Sequence, residues 1–233
     1  MKIISIFAKI LFILCIPVFL FTASIGIAIN SHWLYKAGFE KYNITQVTGI
    51  SLPELNKAAT GLIQYFNSGE EYIDLQVIKD GQPFTLFNEK EVQHLKDVKG
   101  LIWLDYKVLI GTFLYLLIYA AFFIRRKANK RNLAQGLFGG GILTVVLGLA
   151  LGVGILFGFD QLFWDFHLLS FSNDFWLLDP TKDYMIMMFP GDFWYDAFGF
   201  VAILTLGLAV IVGAMGGVYL KVISKIKEQK TKT

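Results

Sequence analysis

The amino-acid sequence predicts an α-helical membrane protein in which four transmembrane helices carry a small α+β extracytoplasmic cap. Over 233 residues the chain is 55% hydrophobic and only 17% charged, with a mean hydropathy of +0.57, a balance wrong for a soluble domain. Four stretches contain no Asp, Glu, Lys, Arg or His at all: 10–29, 108–124, 137–159 and 197–220. At about 1.5 Å rise per residue, roughly 20 residues match a hydrocarbon core of ~30 Å, so the second stretch is tight and the fourth is long enough to tilt. The charges that separate these stretches are sorted by sign. The apolar load excludes a disordered chain, and a single cysteine, Cys15, excludes an intrachain disulfide framework.

Charge sorting sets the orientation. Lys2 and Lys9 precede the first stretch, Arg125, Arg126, Lys127, Lys130 and Arg131 fill the link between the second and third, and Lys221, Lys225, Lys227, Lys230 and Lys232 follow the fourth. That side holds 12 basic residues against one acid, Glu228, whereas the other side holds 9 basic residues against 17 acids. By the positive-inside rule both termini are cytoplasmic, and the basic flanks serve orientation and anionic headgroups rather than nucleic acid. Trp33, Trp103, Trp164 and Trp194 sit near outer span ends, where indole prefers to lie. The reading in order is 1–29, cytoplasmic N-terminus and first span; 30–107, extracytoplasmic cap; 108–124, second span; 125–136, cytoplasmic basic loop; 137–159, third span; 160–196, aromatic extracytoplasmic loop; 197–220, fourth span; and 221–233, cytoplasmic tail. The uninterrupted first stretch reads as an uncleaved anchor, and Cys15 as a core thiol.

Within the cap, Ser51 to Glu54 has the form of a capping box with Pro53 in the first turn, and Leu55, Ala59, Leu62 and Phe66 recur at helical spacing, predicting a helix over 52–66. Ile73, Leu75 and Val77 alternate with polar residues, Asp80-Gly81 supplies a turn, and Phe84 and Leu86 resume the alternation, which predicts a β-hairpin. Asn88 and Glu91 repeat the capping pattern and open a short helix bearing Val92, His94, Leu95 and Val98. So small a cap has a marginal core and is expected to lean on the second outer loop or the membrane surface.

That second loop has 11 aromatic and 7 acidic residues among 37, with Lys182 its only Lys or Arg. It reads as an interfacial segment divided by Pro180 and Pro190-Gly191, able to line a lateral entrance for lipid. In the third and fourth spans, Gly148 with Gly152, Gly154 with Gly158, and Gly213 with Gly217 are small-xxx-small pairs that predict close helix packing.

The three histidines, His32, His94 and His167, all fall on the outer side. Imidazole is the side chain whose ordinary pKa, near 6.5, lets it take and return a proton close to neutrality. His94 has Glu91 and Asp97 at helical spacing, either able to orient the ring or raise its pKa. His167 lies between Asp165 and the run Ser170, Ser172, Asn173, Asp174, and His32 reads as an interfacial anchor. A nucleophile elbow, an outer cysteine nucleophile, a phosphate loop and paired metal-ligand spacings are missing, and the uncharged spans argue against an ion-coupled transporter. What remains is acid–base chemistry on a substrate that brings its own nucleophile, or a non-catalytic adaptor that binds lipid or protein through its outer loops.

Two stretches, 88–99 (Asn88 to Lys99, around His94) and 166–180 (Phe166 to Pro180, around His167), resemble the signature stretches of the lipoprotein intramolecular transacylase family, Lit, an integral-membrane family of Gram-positive bacteria. The four-span plan is similar over nearly the whole chain. The resemblance implies an enzyme that moves the sn-2 acyl chain of a diacylglyceryl-modified lipoprotein onto the α-amino group of its N-terminal cysteine, giving the lyso form. It implies catalytic roles for His94 and His167, with diacylglyceryl-modified lipoproteins and membrane lipids as partners; no cofactor is expected, and a metal site built from His94, His167 and carboxylates is only a weak alternative on the residues. For Asp97, Ser172, Asn173 and Asp174, contact with substrate and orientation of the backbone both remain open. His94 as base and His167 as electrophilic partner is the working order of roles, which the sequence does not decide.

Overall fold

Uncharged runs of 17 to 24 residues have no satisfactory state in a bilayer except one in which every backbone amide is bonded within the segment, and each run lies within a helix. The computed structural model describes residues 2–125 and 130–232, with side chains over 6–125 and 130–229. Its elements are α1 (Lys2–Asn30), α2 (His32–Lys41), α3 (Ile44–Thr48), α4 (Leu52–Asn67), β1 (Gln76–Lys79), β2 (Gln82–Thr85), α5 (Glu89–Arg125), α6 (Lys130–Ser170), α7 (Tyr184–Met188) and α8 (Gly191–Lys232). Among the described residues four helices are long and apolar enough to cross a membrane. Their large side chains are widely exposed, as at Ile118 (67%), Phe157 (87%) and Ile203 (73%), which is the surface that lipid covers. Of the basic residues used for orientation, Arg126 and Lys127 lie outside the described residues.

The chain divides into two units. One comprises Met1–Ile25, Tyr106–Val153 and Val201–Thr233. Its core joins Phe12, Ile16 and Leu20 to Tyr119, Phe123 and Ala209, with Phe12 stacked on Tyr119 at 4.2 Å and Tyr119 on Phe123 at 4.5 Å. Close approach of backbones depends on glycine, because a methyl added at Gly141 would lie 2.6 Å from the Cα of Gly213, and one at Gly216 would lie 2.5 Å from the Ala134 carbonyl oxygen. Gly213 thus does serve packing of α6 on α8, but Gly152 and Gly158 face open space, so the spacing pattern overstated their part. A pair of glycines four apart marks a smooth stripe on a helix without saying which stripe meets a neighbour.

The other unit comprises Gly26–Asp105 and Gly154–Phe200. In it α4 buries Leu55, Ala59, Leu62 and Phe66. The hairpin pairs β1 and β2 antiparallel, Val77 opposite Phe84, through a turn in which Asp80 and Gly81 both have positive φ, the geometry that matches strand twist in a two-residue loop. Its edges are blunted, since Glu54 Oε2 accepts the Ile78 N–H at 2.7 Å on one and Pro83, which has no N–H, sits on the other. The Ser51 to Glu54 capping box is accordingly not formed. Ser51 makes no side-chain cap bond, and the Glu54 carboxylate, which would return to the Ser51 N–H, is taken by the strand amide.

Three boundaries differ from the sequence reading. The helix opened by Asn88 is not short but continues to Arg125, since nothing stronger than the isolated glycines Gly100 and Gly111 interrupts 89–125. At the other side, α6 extends through Ser170, with non-helical dihedrals at Gly158, so that 160–170 is helical rather than loop. The fourth long helix begins at Gly191, so 191–196 is helical too.

Candidate active site

The site is built where α5 begins and α6 ends, both within the second unit. Asn88 Oδ1 accepts the Glu91 N–H at 3.1 Å and Glu91 Oε2 accepts the Asn88 N–H at 2.8 Å, a reciprocal capping box that fixes the first turn of α5. His94 follows one turn later and is only 4% exposed. Its Nδ1 is buried without a hydrogen-bond partner. On α6, Phe159, Phe163 and His167 recur every four residues and form one stripe, Phe159 to Phe163 at 5.5 Å and Phe163 to His167 at 4.5 Å. His167 Nδ1 lies 2.6 Å from the Phe163 carbonyl oxygen. A carbonyl only accepts, so Nδ1 carries the proton and, in the neutral ring, Nε2 holds the lone pair.

The two imidazoles meet, their ring centroids 6.1 Å apart. Phe171 stands edge-on to His94 at 4.9 Å and 5.7 Å from His167, and Trp176 lies 5.0 Å from His167. Apolar surroundings disfavour the imidazolium. Burial lowers the His94 pKa from 6.5 to about 4, the nearby His167 adding to the effect and Asp97 opposing it. Burial lowers His167 as well, with its bond to the Phe163 carbonyl working the other way. Both rings are therefore neutral near pH 7.

Asp97 does not bond to His94. Its Oδ2 accepts the Asn173 Nδ2–H at 2.9 Å, while Asn173 Oδ1 accepts the Phe175 N–H at 3.1 Å, which closes the turn that presents Phe171 and Trp176. Ser172 and Asp174 are exposed in the same turn. Glu91, the other carboxylate at helical spacing from His94, is spent on backbone amides at Asn88 and Met185 and does not orient the ring. His32 Nε2 bonds the Asn56 carbonyl at 3.1 Å, away from the pair. Among the described residues no three His, Cys, Asp or Glu side chains gather to hold a metal ion. Sequence reasoning missed the Phe163 carbonyl, Phe171 and Trp176; the first was legible as the residue four before His167 had α6 been carried past Gly158.

The family sequence model described as lipoprotein intramolecular transacylase Lit matches residues 10–194, most of the chain and both histidine stretches. The chain belongs to the Lit family. It is thus an enzyme, an acyltransferase acting on lipoproteins, and a multi-pass membrane protein rather than a non-catalytic adaptor. Solved structures agree on the fold. The membrane-integral Lit from Bacillus cereus is 23% identical, with a TM-score of 0.81 over 97% of this chain and 100% of that one. Two Bacillus cereus Lit structures with a histidine replaced, one by arginine and one by alanine, are each 22% identical, with TM-scores of 0.76 and 0.77; the first covers 100% of this chain and 96% of that one, the second 97% of each. A curated relative, an uncharacterized protein of Aquifex aeolicus (strain VF5), is 28% identical over 159 residues, 66% of this chain and 68% of its own.

Proposed function

We propose that this Lit-family enzyme moves the sn-2 acyl chain of a diacylglyceryl-cysteine lipoprotein onto the cysteine α-amino group, with His167 as general base and His94 as the electrophilic partner. The observation that carries the reading is the pair of neutral imidazoles 6.1 Å apart in an aromatic pocket. The order of roles is the reverse of the one first expected, and the reason is the tautomer. With Nδ1–H of His167 committed to the Phe163 carbonyl, Nε2 is left to take a proton. His94, held near 4, is a poor base, but a neutral imidazole N–H polarises a carbonyl well.

The steps balance without an acyl-enzyme. The α-amine, whose ordinary pKa is about 7.7 to 8.0, attacks the ester carbonyl carbon as its unprotonated form, and the N–C bond forms. His167 Nε2 takes the proton that the nitrogen loses, while His94 stabilises the oxyanion. The C–O bond then breaks, and His167 returns that proton to the glycerol oxygen, leaving an amide and a free hydroxyl. Amine and ester belong to one molecule, so holding them in near-attack geometry supplies up to about 7 to 11 kcal/mol of the barrier reduction in well-oriented cases. Asp97 and Asn173 hold the turn rather than carry the chemistry, Ser172 and Asp174 are exposed within it, and no cofactor or metal is invoked. Both termini are cytoplasmic and the site opens to the outer leaflet, as the basic flanks favour.

Expression in a cell that does not N-acylate its lipoproteins, followed by mass spectrometry of lipoprotein N-terminal peptides, tests substrate and product together. The lyso form, with one acyl chain on nitrogen and one on glycerol, is the expected product. A diacylglyceryl peptide left unchanged by the abundant, folded protein would refute the proposal.

A further inference from the structure

We infer that Glu91 is a positioning residue for the histidine pair, stapling the segment that bears Phe171 and Trp176 to the turn of α5 that bears His94, although it bonds to neither ring. This rests on the catalytic reading of the histidines. Glu91 is 1% exposed. Its Oε2 accepts the Asn88 N–H at 2.8 Å, and its Oε1 reaches across 94 residues to accept the Met185 N–H at 2.6 Å, at the start of α7. The same turn of α5 is tied again by Asn88 Nδ2–H, donated at 2.9 Å to Oδ1 of Asp183, itself 2% exposed. Asp183 Oδ2 accepts the Asp179 N–H at 2.7 Å, which folds the segment back on itself. Lys90 donates to the Leu177 carbonyl, and the Asp97 to Asn173 bond is the last tie, one turn beyond His94.

The segment 171–185 is therefore laced to α5 on both sides of His94. That segment supplies Phe171, which packs on both imidazoles, and Trp176, which packs on His167 beside Phe163 and Phe166 of α6; Phe171 shields His94 from water. Glu91 is the deepest of the ties. Burial pushes its pKa up, while the amides of Met185 and Asn88 oppose the shift. No cation pairs with its carboxylate among the described residues, so both oxygens are satisfied by backbone donors alone.

Glu91→Gln keeps the shape but turns an NH2 group against one of the two backbone N–H donors, where two hydrogens then face each other. The test compares purified Glu91→Gln with the wild-type protein by steady-state kinetics on a synthetic diacylglyceryl-cysteine peptide and by NMR titration of the His94 ring. The expected result is a kcat at least tenfold lower, a KM changed less than threefold, and a His94 midpoint moved from about 4 toward the ordinary imidazole value. His167 and Asp97, the titratable groups that act on His94, are untouched by the substitution. A titration that stays at the wild-type midpoint, whatever activity and melting temperature do, overturns the inference. Should Glu91→Gln not accumulate as folded protein, Asp183→Asn loosens the same lacing from its other end and is read by the same titration. Failure of the functional reading looks different: His94→Ala would remain active, and the Glu91→Gln titration would still decide the inference.

Discussion

At the scale of single residues, the proposed chemistry turns on two rings kept neutral by burial. His94→Ala and His167→Ala are each expected to reduce formation of lyso product by 100-fold or more, in line with the usual contribution of a positioned acid or base, at unchanged protein abundance; full activity in either variant would remove that residue from the mechanism. The lowered pKa of His94 also makes stability pH-dependent. Its folded value, about 4, lies below the ordinary 6.5, so between those pH values the unfolded chain binds a proton that the folded chain refuses. Stability is thus full above about pH 6.5 and falls as pH drops toward 4, by up to about 3 kcal/mol. Melting in detergent should show this slope in the wild-type protein and a flatter one in His94→Asn, and equal slopes would contradict it.

Elements bring these residues to their places through ends rather than middles. The capping box of Asn88 and Glu91 sets where α5 starts, and therefore which face His94 presents. Asn88→Ala deletes both the cap and the tie to Asp183, and is expected to destabilise the protein by about 1 to 2 kcal/mol and to lower kcat. Melting temperature and turnover measured together check it, and a variant with wild-type values of both would show the cap to be dispensable. At the other end of the site, Asn173 closes its own turn and holds Asp97. Asn173→Ala should slow turnover by less than either histidine substitution, because the turn loses one tie of several; loss equal to that of His167→Ala would instead mean that Asn173 meets the substrate.

For the molecule as a whole, membrane insertion and bundle formation rest on different features. Insertion needs only uncharged length, whereas close packing needs smooth surfaces at the points of contact. Gly141→Leu drives a large side chain against the Gly213 backbone and should abolish recovery of monodisperse protein from detergent while leaving membrane targeting intact; a well-behaved Gly141→Leu protein would show that the contact is not needed. Topology is checked with Asp80→Cys at the exposed hairpin tip in a Cys15→Ser background. An impermeant maleimide should label it in intact cells, and labelling only after lysis would invert the orientation.

Much of this architecture is legible in composition, because the physical causes are local or one-dimensional. Uncharged length announces the membrane-crossing helices, Leu55, Ala59, Leu62 and Phe66 announce α4 by their spacing, and Asp80-Gly81 announces the hairpin by its tolerance of positive φ. Competition among partners is not local. Nothing in the spacing of Glu91, His94 and Asp97 reveals that both acids are claimed elsewhere, Glu91 by Met185 and Asp97 by Asn173, or that Glu54 leaves its cap for Ile78. By itself the sequence determined the membrane class, the family and which two imidazoles to watch. Only the tertiary structure decided that they meet at 6.1 Å, uncharged and with the His167 tautomer selected, since a pKa and a tautomer depend on the groups that folding brings near and on the water that it removes.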